Sequence, residues 1–246
     1  MKSTTETGHA KNVANFEDLI SFCTAYGASY NPSKTSISLA SLNSIYTNAL
    51  ATIANVTTTK NAFDNVTGIR QTTFAPLKPL ATKVINSLSA TDALDTVVKD
   101  AKTINRKLQG SRASSTSNNT TEPTASESST TTISTSQQSY DRLIDSFGKL
   151  IDLVNAESNY VPNETELQIT SLNTKLANLV ASNTAVISKY TEYSNARIQR
   201  NNLLYTNTSS LVETALDVKK YIKSVFGASS PQYKQVSSLK FSKPKL

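Results

Sequence analysis

The stretch YNPSKTSISLASLNSIYTNAL (Tyr30 to Leu50) lines up without a gap against YVPNETELQITSLNTKLANLV (Tyr160 to Val180). At this constant spacing Tyr30, Pro32, Thr35, Ser41, Leu42, Asn43 and Asn48 recur as Tyr160, Pro162, Thr165, Ser171, Leu172, Asn173 and Asn178. Apolar Ile37 and Leu39 are matched by Leu167 and Ile169. Two unrelated amphipathic helices would share apolar spacing but not polar identities, so the pattern reads as an internal duplication. Working outward, FEDLISF (Phe16 to Phe22) resembles YDRLIDSF (Tyr140 to Phe147), and Arg70 pairs with Arg200 at the same offset. Further on, DAKTINRKLQG (Asp100 to Gly110) answers DVKKYIKSVFG (Asp217 to Gly227) at a shorter offset, which places extra chain in the first copy around Pro76 to Ala90.

The spacing inside each copy is helical. Apolar or aromatic side chains fall at Leu39, Leu42, Tyr46, Ala49, Ile53, Val56 and Phe63, interrupted by Lys60. In the second copy they fall at Ile169, Leu172, Leu176, Leu179, Val186, Tyr190 and Tyr193, with Asn183 at one seam position. Alternating steps of three and four form a heptad, whereas a strand alternates with period two. Asn183 and Lys60 at seam positions read as devices that fix register at some expense of stability.

Each long helix is expected to begin after the Y-x-P element, with Ser33 or Asn163 as N-cap and Glu164 and Glu166 near the positive end of the helix dipole. Running to about residue 72 or 203, each would span roughly 40 residues, about 60 Å at about 1.5 Å per residue. Pro76 and Pro79 would end the first of them. In the second copy TNTSS (Thr206 to Ser210) offers capping hydroxyls for the return. The returning helices carry Leu80, Val84, Leu88, Leu94, Val97, Ile104 and Leu108 in one copy and Leu211, Ala215, Val218, Ile222 and Val225 in the other. Gly110 and Gly227 stand where a glycine closes a helix.

The expected fold is therefore all-α, an elongated antiparallel helical bundle of two duplicated long-helix hairpins. Its expected segments are a disordered N-terminus at 1–14, a helical repeat at 15–110, a disordered Ser/Thr-rich linker at 111–137, a second repeat at 138–228 and a basic tail at 229–246. The linker, SRASSTSNNTTEPTASESSTTTISTSQ, has almost no apolar side chain with which to offset the entropy of ordering.

Composition agrees. Six Gly, seven Pro and no Trp in 246 residues are too few turn residues for a many-stranded sheet. One Cys excludes an internal disulfide, and the single His9 lies far along the chain from Cys23, so zinc and haem binding are not expected. No apolar run reaches the ~18 residues of a membrane span, and a cytoplasmic, soluble chain without a transmembrane segment is the expectation. The net charge of +7 is localised: seven of the 25 bases lie from Lys219 onward with no acid among them, and the remaining 18 balance the 18 acids.

No phosphate-binding glycine loop, metal-binding helix motif, C-x-x-C pair or nucleophile elbow occurs, and neither catalytic residues, cofactor nor metal is expected. Cys23, flanked by Leu19, Ile20, Phe22 and Tyr26, reads as a buried core thiol. His9 reads as solvated and idle, and Asp141, Asp145 and Asp152 as a solvated helix face. Arg70 and Arg200 read as surface or inter-helix pairing residues. The one candidate binding group is Lys219, Lys220, Lys223, Lys234, Lys240, Lys243 and Lys245, interleaved with Tyr221, Phe226, Tyr233 and Phe241. Lysines with aromatics suit nucleic acid or an anionic membrane, although lysine is also favoured at any helix C-terminus.

The landmarks HAKNVANFEDLISFCTAYGASYNPSK, SLNSIYTNA, RKLQG and YIKSVFGASSPQYKQVSSLKF resemble a group of all-helical hypothetical proteins from environmental bacteria of the Bacteroidetes kind. The resemblance implies a bacterial, all-helical protein and transfers no site. Heptads without chemistry lead to a non-enzymatic scaffold or protein-interaction protein, with a protein partner or self-association. The rival expectations are a membrane-active bundle shaped like a helical pore-forming toxin, and a nucleic-acid-associated protein using the lysine tail.

Overall fold

The computed structural model describes residues 8–110 and 138–243, and among them every regular element is helical. The Ser/Thr-rich stretch at 111–137 and Lys245 lie outside the described residues. In chain order the helices are α1 (His9–Ala25), α2 (Leu39–Phe74), α3 (Leu77–Ser89), α4 (Asp95–Gln109), α5 (Tyr140–Ala156), α6 (Ile169–Asn201), α7 (Leu211–Phe226) and α8 (Pro231–Ser237). The two long helices have 36 and 33 residues, about 54 and 50 Å at about 1.5 Å per residue.

Neither begins at Ser33 or Asn163. A 3₁₀ turn intervenes at Thr35–Ile37 and again at Thr165–Leu167, and the α-helix starts two residues after each. The cause is one tyrosine per copy: the Tyr30 phenol donates to the Ile37 carbonyl at 2.6 Å, and Tyr160 donates to Leu167 at 2.9 Å. Both rings are buried. With that carbonyl held by the phenol, Ser38 takes over as cap, its Oγ accepting from Ser41 N at 3.3 Å. Pro76 stands just before α3, but Pro79 sits inside its first turn rather than breaking it, because first-turn amides have no carbonyl partner to lose. The chain around Pro76 to Ala90 forms α3. Gly110 closes α4 at φ +78°, with its amide donating to Arg106 O, and a side chain there would run into Gln138 at 2.8 Å.

The chain forms two compact units, Met1–Asp64 with Ser188–Leu246, and Asn65–Ile187. These do not follow the repeats at 15–110 and 138–228. Each unit takes the start of one copy and the end of the other, and each has its own core.

In the first unit, Phe16, Leu19 and Cys23 of α1 meet Leu42 and Ala49 of α2, Leu211, Ala215, Val218 and Ile222 of α7, and Val236 of α8. Ser210 caps α7 and Ser230 caps α8, so the TNTSS stretch does supply a capping hydroxyl. Two sequence expectations are corrected here. The segment 1–14 is not disordered throughout, since α1 is helical from His9. The segment 229–246 is not only a tail: it contains α8, followed by residues whose Leu239 and Phe241 pack on this core.

In the second unit, Phe147, Leu150 and Val154 of α5 pack with Leu77, Val84 and Leu88 of α3, Leu108 of α4, and Leu172 and Leu179 of α6. The end of α2 and the start of α6 run antiparallel in it: Arg70 meets Asn183, while Thr73 O accepts from Lys175 Nζ at 2.6 Å.

Candidate functional site

A polar cluster with a titratable centre lies in the first unit, where α1 begins. α6 ends in a π-turn, Asn202–Thr206, closed by Asn207 N donating to Asn202 O at 3.2 Å. Such turns re-aim side chains and recur at functional sites. This one turns Leu204 and Tyr205 into the core. Tyr205 Oη accepts from Asn12 Nδ2 at 3.2 Å and lies 2.7 Å from His9 Nδ1. With Asn12 donating to the phenol oxygen, the arrangement in which Tyr205 gives its own proton to His9 Nδ1 requires a neutral imidazole with its hydrogen on Nε2.

Asn12 has a second role. Its Nδ2 donates to Ser242 O at 2.7 Å and its Oδ1 accepts from Ser242 N at 3.1 Å, a two-way clamp on the chain after α8. Asn15 Nδ2 donates to Lys240 O at 2.6 Å. His9 is thus neither solvated nor idle. Burial pushes its pKa down, and the nearby Arg200 and Arg197 guanidiniums push the same way. Tyr205 is raised by burial. Arg200, lowered by burial, donates through Nε and Nη2 to Asn201 Oδ1 at 3.2 and 2.8 Å.

The lysines expected to act together are divided by the fold. Lys219 is turned inward, donating to Leu239 O and lying 5.2 Å from the Phe241 ring centre, and burial lowers its pKa. Lys243 pairs with Glu213, and Lys220 pairs with Asp217 at 3.1 Å. Lys223 lies 5.7 Å from the Tyr233 ring centre and is exposed, as are Lys234 and Lys240.

The second unit has its own arginine cluster. Arg70 lies over the Tyr140 ring and donates from Nη1 to Asn183 Oδ1 at 3.0 Å, and Asn183 Nδ2 donates to Asp141 Oδ1 at 2.8 Å. Asn183 is buried, with one hydrogen bond on its oxygen and one on its nitrogen. Lys60, in the first unit, is exposed instead and pairs with Asp64 at 2.5 Å. Asp141 therefore belongs to a structural network, while Asp145 pairs with Lys149 at 2.8 Å on the surface. A cavity of ≈ 420 Å³ lined by Phe74, Lys78, Gln138 and Tyr140 lies in this unit, with Lys78 Nζ donating to Gln138 Oε1 at 2.8 Å.

Cys23 is core, as its neighbours imply: burial pushes its thiol up to about 12, against a smaller opposing effect of the Tyr30 hydrogen bond. Among the described residues no group of three His, Cys, Asp or Glu could hold a metal ion, and no helix is long and apolar enough to cross a membrane.

Tyr205, Asn12 and Asn15 were not singled out from sequence. The available signal was the pair Asn12 and Asn15 interleaved with Val13 and Phe16 on one helix, since asparagine on a core face needs a partner. The features together define an all-helical protein with two cores and polar clamps at helix ends. The chain matches no protein-family model, no curated protein and no solved structure.

Proposed function

We propose that this protein is a non-enzymatic, bacterial helical scaffold, built by duplication, that binds a helical partner, with a second copy of itself as the first candidate. One observation carries the reading. In the first unit the α2 segment from residue 50 to residue 64 keeps its heptad at Ile53, Val56 and Phe63, yet none of its residues is buried. Ile53 still lies against the core of the first unit, and beyond it Phe63 packs on Tyr190 and Tyr193 of α6, with ring centres 5.6 and 6.2 Å apart, in a two-helix ribbon. Its flanks carry Leu50 at 47% exposure, Tyr190 at 55% and Ile198 at 54%. A ribbon with apolar flanks gains by covering them with further helix.

The matched Tyr30–Ile37 and Tyr160–Leu167 hydrogen bonds support the duplication, since the same local device recurs at the same spacing. The test is sedimentation equilibrium of the wild type against Leu50→Glu with Ile198→Glu. The expected result is concentration-dependent association that the double variant loses while its melting temperature is unchanged. A wild type that stays monomeric and captures no protein that the variant fails to capture refutes the reading.

A second reading rests on Lys223, Lys234 and Lys240. With Lys219 turned inward and Lys220 and Lys243 paired with Asp217 and Glu213 on the surface, these three support association with an anionic polymer such as nucleic acid.

A further inference from the structure

The chain after α8 is held by several separate contacts, one of which leads to an ionisable side chain. Leu239 and Phe241 lie on the core of the first unit, and Lys219 donates to Leu239 O. Asn15 holds Lys240 O, Asn12 holds both backbone groups of Ser242, and Glu213 pairs with Lys243. Asn12 also donates to Tyr205 Oη, which faces His9 Nδ1. A continuous path of hydrogen bonds therefore runs from His9 through Tyr205 and Asn12 to Ser242.

We propose that Leu239–Lys243 is a strap released by protonation of His9, acting through Tyr205 and Asn12, which uncovers the part of the core beneath Leu239 and Phe241. A protonated Nδ1 can no longer accept the Tyr205 proton. The phenol must then turn or leave its proton without an acceptor in a buried site, and an unmade bond there is costly.

Burial and two guanidiniums oppose a positive charge on His9. His9 is the first residue of α1, whose first turn contains no acid, so it stands at the positive end of the helix dipole. Arg197 and Arg200 of α6 lie close enough to disfavour its charge. The other charged groups at the strap are Lys219 and Glu213 of α7 and the strap's own Lys240 and Lys243, and α1 itself carries Lys11. The acids on these elements include Glu213 of α7 and, about two turns along α1 from His9, Glu17 and Asp18. The first helical bond of α1, Asn12 N to Gly8 O at 3.1 Å, belongs to the turn that His9 opens, so fraying that turn displaces Asn12 directly.

The linkage follows from the depressed pKa of His9. The docked state binds fewer protons than the released one, so docking is fully favoured above the ordinary value of 6.5 and weakens as pH falls below it.

Hydrogen exchange of the full chain, read on the peptide covering 239–243 and corrected for intrinsic rates, tests this between about pH 7.5 and about pH 5. Protection of the strap is expected to fall by about tenfold on acidification, the effect of losing one buried hydrogen bond. His9→Gln keeps an acceptor for Tyr205 but does not titrate, and should leave the strap protected at both pH values. Tyr205→Phe keeps the core ring and cuts the path, and should abolish the pH response. Asn12→Leu should expose the strap at both pH values. Glu213→Gln should leave the pH response intact. Equal protection at both pH values in the wild type overturns the proposal, as does a pH response that persists in both His9→Gln and Tyr205→Phe.

Discussion

The guanidinium carbon of Arg70 lies 4.0 Å from the centre of the Tyr140 ring, which binds the far part of α2 to the first residue of α5. The same side chain donates to Asn183. A planar, delocalised cation does both at once, which an ammonium cannot. Its match in the other copy, Arg200, is engaged instead with Asn201.

Arg70→Lys is therefore expected to lose nearly as much stability as Arg70→Met, about 1–2 kcal/mol, even though it keeps the charge. The urea midpoint reports this. Full recovery by lysine would show that charge alone matters at this position.

Tyr30→Phe and Tyr160→Phe each remove one phenol from a buried carbonyl while leaving the ring in the core. Each should cost about 1 kcal/mol and lower the melting temperature by about 2–4 °C. Because each phenol also holds a 3₁₀ turn, protection of the first turn of α2 or α6 should fall in hydrogen exchange. An unchanged turn would mean the carbonyl finds another donor.

Cys23 should resist a thiol reagent in the native protein even at mildly alkaline pH, because burial pushes its pKa up to about 12. The reaction should go to completion once the chain is unfolded in guanidinium. Rapid native labelling would contradict the packing of α1 against α7.

The helices themselves were legible because their causes are local. Steps of three and four from Leu39 to Phe63 and from Ile169 to Tyr193 mark the two long helices, and Gly110 and Gly227 mark the ends of α4 and α7. What escaped is held by distant partners. Helix α1 begins at His9 rather than near residue 15 because His9 and Asn12 are tied to Tyr205 and Ser242, and no cap or first-turn acid announces it. The 3₁₀ turns before α2 and α6 depend on phenols five and more residues upstream. The mixing of both matching stretches within each unit escaped for a different reason: their heptads are alike, so periodicity does not say which of them supplies the neighbour. The lysines were visible as a group, but their division was not, since Lys219 is turned inward by an acceptor at Leu239.

Asp217 illustrates how little the surface pairs should matter. The hydrogen bonds from Lys34 at 2.6 Å and from Lys220 at 3.1 Å hold its pKa below the ordinary carboxylate value. Its contribution is present above the unfolded value of 3.8 and is lost as pH falls through the depressed one. The Lys34 side chain is 59% exposed, so solvent screens the pair and Asp217→Asn should cost less than about 1 kcal/mol at neutral pH. Thermal melts of wild type and variant should converge in strong acid.

The exposed lysines give the sharpest test of the anionic-polymer reading, because the fold separates two sets that composition treats alike. If Lys223, Lys234 and Lys240 contact phosphates, binding to single-stranded nucleic acid should weaken with salt at a slope of about 0.7 per contact, about 2 in all. Changing the three together to glutamate should abolish that binding without altering the melting temperature, since none is buried. Lys219→Met removes an inward-facing donor to Leu239 and loosens the chain after α8, which carries Lys240, while Lys223 and Lys234 keep their places, so binding should weaken by no more than one contact. Binding that survives the triple change would assign the affinity to groups other than these three lysines.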